Sequence, residues 1–210
     1  MAGRPVDPQR FPALADYLSK LPAGLASYPE ATTMGILLKS AVSQQYFHPS
    51  WRDLPQPLVD GLRRPPLPTT WVPAVLTDAV FCVICDTFYP TPEAVEAWTY
   101  ERTIRLASVP MYRGLTRFAG IERFLAAAAR VHAFFQRGTH LAVRSAPGAA
   151  EVELTHPPHL HGRLNHLSNQ GAFRAALEAA GGQEVSVLLE SSTPTRALYR
   201  ARWRTGHQVA

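Results

Sequence analysis

Residues 196–204 read Arg-Ala-Leu-Tyr-Arg-Ala-Arg-Trp-Arg, and no other stretch restricts the fold as tightly. In an extended chain Ala197, Tyr199, Ala201 and Trp203 fall on one side. Arg196, Arg200, Arg202 and Arg204 fall on the other, together with Leu198. Side chains alternate across a strand, so this pattern requires one dry face and one wet face. The arginine face predicts cross-strand neutralisation by Glu151, Glu153 and Glu190. Left unneutralised, it would be a surface for an anion or an acidic partner.

The preceding residues supply the rest of a sheet. Leu141 and Val143 alternate with His140, Ala142 and Arg144, and Val152 and Leu154 alternate with Glu151, Glu153 and Thr155. Ala146-Pro147-Gly148 turns the chain between the two runs. Phe173, Ala176, Leu177 and Ala180 fall at i, i+3, i+4, i+7, which predicts a helix over about 169–180. Ser168 or Asn169 would cap it, and Gly181-Gly182 would end it. Val185, Val187 and Leu189 alternate again before the turn at Ser192-Thr193-Pro194. The expected unit is β-β-α-β-β, a four-stranded antiparallel sheet with one helix on a face. That helix cannot cover the sheet alone, so the earlier helices, or a partner, must complete the core.

Those helices are legible upstream. Phe11, Leu14, Ala15 and Leu18 mark one, ended by Pro22 and Gly24. Thr32-Thr33 is expected to cap a second, carrying Met34, Leu37, Leu38, Ala41 and Val42, with Gly35 permitting close packing. His48–Thr70 is Pro-rich, with room for one short helix through Leu54, Leu58, Val59 and Leu62, and reads as a wrapping connection. Trp71–Phe88 is the most apolar segment and predicts a buried helix. Thr91-Pro92-Glu93 starts the next: cap, proline at the first position, carboxylate in the first turn. It is expected to run to Ala107. Met111–Gly120 reads as a short helix or turn, and Ile121–Gln136 as a strong helix ended by Gly138. The fold class is α+β: residues 1–10 a flexible tail, then a single domain over 11–210, helical over 11–137 and sheet over 138–204.

A length of 210 residues and an apolar fraction of 46% suffice for a core without staples. The net charge of +5 comes almost wholly from arginine, because Lys20 and Lys39 are the only lysines. Arginine, alanine and proline enrichment with lysine depletion is what GC-rich coding yields, so nucleic acid is not an expected partner. No secretory leader and no membrane span are expected, which makes the cytoplasm the expected compartment.

Each potential site has a structural reading beside the chemical one. Cys82-Val-Ile-Cys85 lies inside an apolar run, which suits two small buried residues better than a redox pair. His156, His159, His161 and His166 have ligand-like spacing, with His156, His159 and His161 the foremost metal candidates. Pro157-Pro158 and the lack of a carboxylate among them favour a solvated loop, so no metal is expected. His132, at the edge of an apolar helical stripe, could be a haem ligand or a hydrogen-bonded core histidine. No G-x-S-x-G, H-E-x-x-H, P-loop or G-x-G-x-x-G occurs.

Thr33-Met-Gly-Ile-Leu-Leu, Phe88-Tyr-Pro-Thr-Pro-Glu-Ala, Tyr112-Arg-Gly-Leu, His159-Leu-His-Gly and Leu198-Tyr-Arg-Ala-Arg-Trp203 together resemble a myxobacterial paralogue family. Its members have about 200 residues and form a domain of unknown function. The resemblance covers roughly residues 30–203. Helices followed by a small antiparallel sheet are also similar, as architecture, to vinyl-reductase-type and haem–nitric-oxide-binding sensor domains, which enclose a small-molecule pocket. The cysteine pattern of the former is missing, and His132 is the sole counterpart for the latter.

The expected function is therefore a non-enzymatic small-molecule-binding or sensory module without a cofactor, haem being the alternative. Its pocket is expected between helices 93–107 and 121–136 and the sheet, lined by Trp98, Tyr112, His132 and Phe135. An interaction module forming a homodimer, and an enzyme with an unrecognised site, are the other readings.

Overall fold

A computed structural model describes residues 6–109 and 120–205. Seven α-helices lie among them: α1 Pro12–Ser19, α2 Gly35–Val42, α3 Gln56–Arg63, α4 Ala74–Phe88, α5 Pro92–Ser108, α6 Ile121–Phe135 and α7 Arg163–Ala179. Strands β4 His140–Ala146, β5 Ala149–Thr155, β6 Gly182–Thr193 and β7 Arg196–Thr205 form an antiparallel sheet in the order β4-β5-β7-β6. The α+β class and the β-β-α-β-β order are thus as the alternation implies.

A second sheet is absent from the sequence expectation. Short strands β1 Thr32–Met34, β2 Trp71–Pro73 and β3 Gln136–Arg137 pair antiparallel in the order β2-β1-β3. Two expected helix starts move because of it. Thr32 and Thr33 are β-branched and pair with Pro73 and Val72 rather than capping α2. Pro73 holds the residue before it extended, so α4 begins at Ala74 and not at Trp71. The close packing expected at Gly35 is present: a Cβ there would collide with the Leu67 carbonyl oxygen.

Two apolar cores result. The first surrounds α4, whose Ala79, Val80, Val83 and Ile84 are completely buried, with Leu14, Leu38, Trp51 and Leu58 around it. The second lies between α6, α7 and the inner face of the sheet and contains Phe124, Leu125, Val152, Leu154, Leu177, Val187, Tyr199 and Trp203. Tyr199 stands opposite Val152 on one side and Leu189 on the other. Its ring is fully buried, edge-on to Phe173 at 5.0 Å, and its hydroxyl donates to the His166 carbonyl at 3.2 Å. On the outer face Arg200 lies 2.9 Å from Glu190 and 3.6 Å from Glu151, and Arg196 lies 3.5 Å from Glu153. Arg204 meets Glu184 at 2.9 Å. These exposed pairs contribute little stability each, but they offset the positive charge of Arg196, Arg200 and Arg204; Arg202 makes no ion pair among the described residues.

Helix α7 begins six residues earlier than its Phe173–Ala180 stripe suggests. Asn165 Oδ1 accepts the Gly162 N–H at 3.2 Å, and Leu164 and Leu167 pack into the first core. The helix thus has two apolar stripes aimed at two cores, and a search for one stripe finds only its second half. Gly171 lets it approach α5: a Cβ there would lie 2.5 Å from the Glu96 carbonyl oxygen and 3.2 Å from the Tyr100 amide nitrogen. Backbone cannot retreat as a side chain can. Gly171→Ala should therefore destabilise the fold by about 1–3 kcal/mol despite alanine's higher helix propensity, as read from urea unfolding; a neutral or stabilising result would contradict the close approach.

Candidate functional site

Between α5, α6, α7 and the sheet lies a cavity of about 220 Å³. Its walls are apolar: Phe124, Leu125, Ala128, Val131 and Phe135 from α6, Leu141, Val143 and Val152 from the sheet, Ala172, Phe173 and Ala176 from α7. Polar side chains interrupt them, Thr103 and Gln136 among them. Ser168 and Asn169 belong to α7. His132 reaches the wall from α6. Arg102, from α5, is the one charged side chain lining the cavity among the described residues.

Arg102 makes no ion pair with any carboxylate among the described residues. Its guanidinium lies 5.1 Å from the Trp98 ring centroid and 5.8 Å from that of Phe81. Burial lowers its pKa to about 10, which still leaves it charged at neutral pH. His132 Nε2 is 2.8 Å from Thr139 Oγ1, and Thr139 in turn donates to Gln136 Oε1 at 3.4 Å. With that hydroxyl proton committed, His132 donates from Nε2 and keeps a lone pair on Nδ1. Burial, then the neighbouring His161 and His140, lower its pKa to about 4, so the imidazole is neutral.

The residues expected to line a pocket divide. His132 and Phe135 share the cavity. Trp98 does not reach it: the indole belongs to the first core, stacked 4.6 Å from Tyr89 and 5.2 Å from Phe81, with Nε1–H donating to Gln44 Oε1 at 3.2 Å. Tyr112 lies outside the described residues. Arg102 was missed because its significance is the lack of a partner, which no local pattern records. Cys82 and Cys85 are buried inside α4, with both thiols pushed above their ordinary pKa by burial.

The histidine segment differs most from expectation. Rather than a solvated loop, it contributes a buried cluster. His156, His161 and His166 are 7%, 6% and 2% exposed. Their ring centroids lie 4.8 Å apart for His156 and His161, 5.3 Å for His156 and His166, and 6.3 Å for His161 and His166. His159 is half-buried, in a left-handed conformation. The missing carboxylate comes from α4: Asp78 Oδ2 meets His161 Nδ1 at 2.7 Å. Burial raises the Asp78 pKa, opposed by His161. Burial, then His161, lower His156 to about 4 and His166 to about 3. A second, polar cavity of about 520 Å³ borders His161 and His166, with Tyr17, Asn165 and Gln170 also in its wall.

The chain superposes on H-NOX domains. An isoleucine-to-phenylalanine mutant of the T. Tengcongensis H-NOX matches with TM-score 0.55 and 13% identity over 83% of this chain and 99% of that one. A Cs H-NOX mutant with an unnatural cyanophenylalanine gives 0.54 and 13% over 83% and 98%. An oxygen-binding H-NOX domain related to soluble guanylate cyclases, solved as its oxygen complex, gives 0.54 and 12% over 81% and 93%. The chain has the H-NOX fold. No family model and no curated relative matches it.

The fold likeness expected from helices followed by a small sheet is thereby shown. The expectation of no cofactor is corrected by the same comparison: solved domains with this fold include structures described as probing heme distortion in the H-NOX family and as modulating heme redox potential through porphyrin distortion. No single helix among the described residues is long and apolar enough to cross a membrane.

Filling free space in the apolar cavity should be tolerated. Ala172→Leu, placed in its wall, should leave unfolding free energy unchanged within about 1 kcal/mol or raise it. A loss of about 1–3 kcal/mol, the usual cost of overpacking, would indicate a wall already closed.

Proposed function

We propose that this chain is a non-catalytic ligand-binding module of the sensor type, and that the cavity under α6 takes an apolar molecule bearing a carboxylate. The observation that supports this most is Arg102, a cation without a carboxylate partner among the described residues, in a largely apolar wall. Even partial burial of such a charge is costly unless an anion answers it. The apolar residues supply affinity through area removed from water, and the guanidinium fixes which end of the ligand faces α5.

Haem belongs to this ligand class and is the group that the structural neighbours bring forward. The donor chemistry suits it: His132 offers a neutral imidazole and Arg102 a counter-charge for a propionate. Space is the constraint. A cavity of about 220 Å³ is smaller than the roughly 300 Å³ at which drug-sized pockets begin, so a tetrapyrrole enters only as wall side chains swing aside. When bound, haem would supply an iron centre for a small gaseous ligand, with His132 holding the iron and Arg102 the carboxylate.

Loading the purified chain with haem, and separately with a fluorescent fatty acid, tests the reading. One of the two should bind stoichiometrically, and Arg102→Ala should weaken it about 10-fold or more, the value of a charge-assisted hydrogen bond. Should haem bind, His132→Ala should shift or abolish its Soret band. Failure of both ligands to bind, or affinity unchanged in Arg102→Ala, would overturn the assignment.

A further inference from the structure

The buried histidines carry a second site, separate from the apolar cavity. Two of the three buried side-chain nitrogen or oxygen atoms without a hydrogen-bond partner among the described residues are His156 Nε2 and His161 Nε2. In both residues the other ring nitrogen is committed. His156 Nδ1 lies 2.9 Å from the Pro157 carbonyl oxygen, which can only accept, so the proton is on Nδ1. His161 Nδ1 donates to Asp78 Oδ2 at 2.7 Å. Both Nε2 atoms are thus without a partner, in residues more than nine-tenths buried whose rings lie 4.8 Å apart between centroids. Leaving two ring nitrogens unpartnered in one place is expensive, and a single cation bound through both lone pairs would satisfy them at once.

Three features favour a cation. A neutral imidazole whose other nitrogen is held by a carboxylate or carbonyl is the form in which histidine binds metal, and the holding group orients the ring. Asp78 and the Pro157 carbonyl take that role here. His166 supplies a third ring, 5.3 Å from His156. The polar cavity borders His161 and His166, which gives an access route and space for water at an open position. An all-imidazole set with one open position suits zinc and its neighbours rather than magnesium or calcium. Among the described residues no three such side chains stand in a finished coordination geometry, so binding requires the His166 ring to turn toward the other two. Its Nδ1 has a long contact of 3.4 Å to the Tyr199 hydroxyl, which that turn would give up.

We propose that His156 and His161, through Nε2, and His166 bind one divalent transition-metal ion of the zinc class, with Asp78 positioning His161. A single buried water donating to both lone pairs is the competing occupant.

Cobalt(II) titration of the metal-free, untagged chain distinguishes them. The expected result is one equivalent bound with visible d–d bands, displaced by zinc, and without the thiolate charge-transfer band that Cys82 would add. His161→Gln should weaken cobalt binding at least 100-fold. Asp78→Asn should weaken it about 10–100-fold, the usual cost of losing a group that orients a ligand, while keeping the bands. Should His161→Gln fail to fold, the wild-type spectrum and Asp78→Asn decide. No d–d bands at millimolar cobalt, bands with thiolate character, or bands that persist at full affinity in His161→Gln or Asp78→Asn would overturn the proposal and leave water as the occupant.

Discussion

The molecule depends on how closely α7 can approach α5. Two backbones meet at Gly171, where any side chain would intrude on the Glu96 carbonyl. Because they meet, one helix serves two cores. Leu164 and Leu167 complete the packing around α4, and a turn or two later Phe173, Ala176 and Leu177 complete the packing over the sheet. Polar bonds reinforce the junction: Gln170 Nε2 donates to Glu96 Oε2 at 2.7 Å, while its Oε1 accepts the Leu189 N–H at 2.7 Å. One amide thus links α5, α7 and β6.

The two cavities on either side of this junction differ in chemistry. The smaller one is apolar with one cation; the larger is polar and borders imidazole. Burial shapes both. The first sets Arg102 in a largely apolar wall. The second sets imidazoles beside other polar side chains. His161 is felt in both places, since it contributes to the depressed pKa of His132 as well as those of His156 and His166.

Much of the fold was legible because its signals are local. Alternation in β4 to β7 and the Thr91-Pro92-Glu93 start of α5 both read correctly, since each is set by neighbours within a few residues. The three-residue strands β1 and β2 were not legible, being too short to show a period. In the apolar cavity, His132 and Phe135 could be placed from the α6 stripe, whereas Trp98 could not be excluded from it. Only the long-range stacking of its indole between Tyr89 and Phe81 settles its position. The histidine cluster held a signal that was overlooked. His156 continues the inward parity of Val152 and Leu154, and His166 lies one helical repeat before Phe173 on the buried side of α7. Asp78, 83 residues from its partner His161, left no trace in local spacing.

The charged outer face of the sheet has a consequence for architecture as a whole. Arg196, Arg200 and Arg204 are satisfied by glutamates lying in the plane of the sheet rather than by anything above it. A layer stacked there would have to strip water from a lattice of opposite charges, with Leu188 and Leu198 as the apolar contacts to recover. Helices α6 and α7 pack on the Tyr199 side instead. Further protein mass is favoured at the strand edges or the helical end rather than on the charged face.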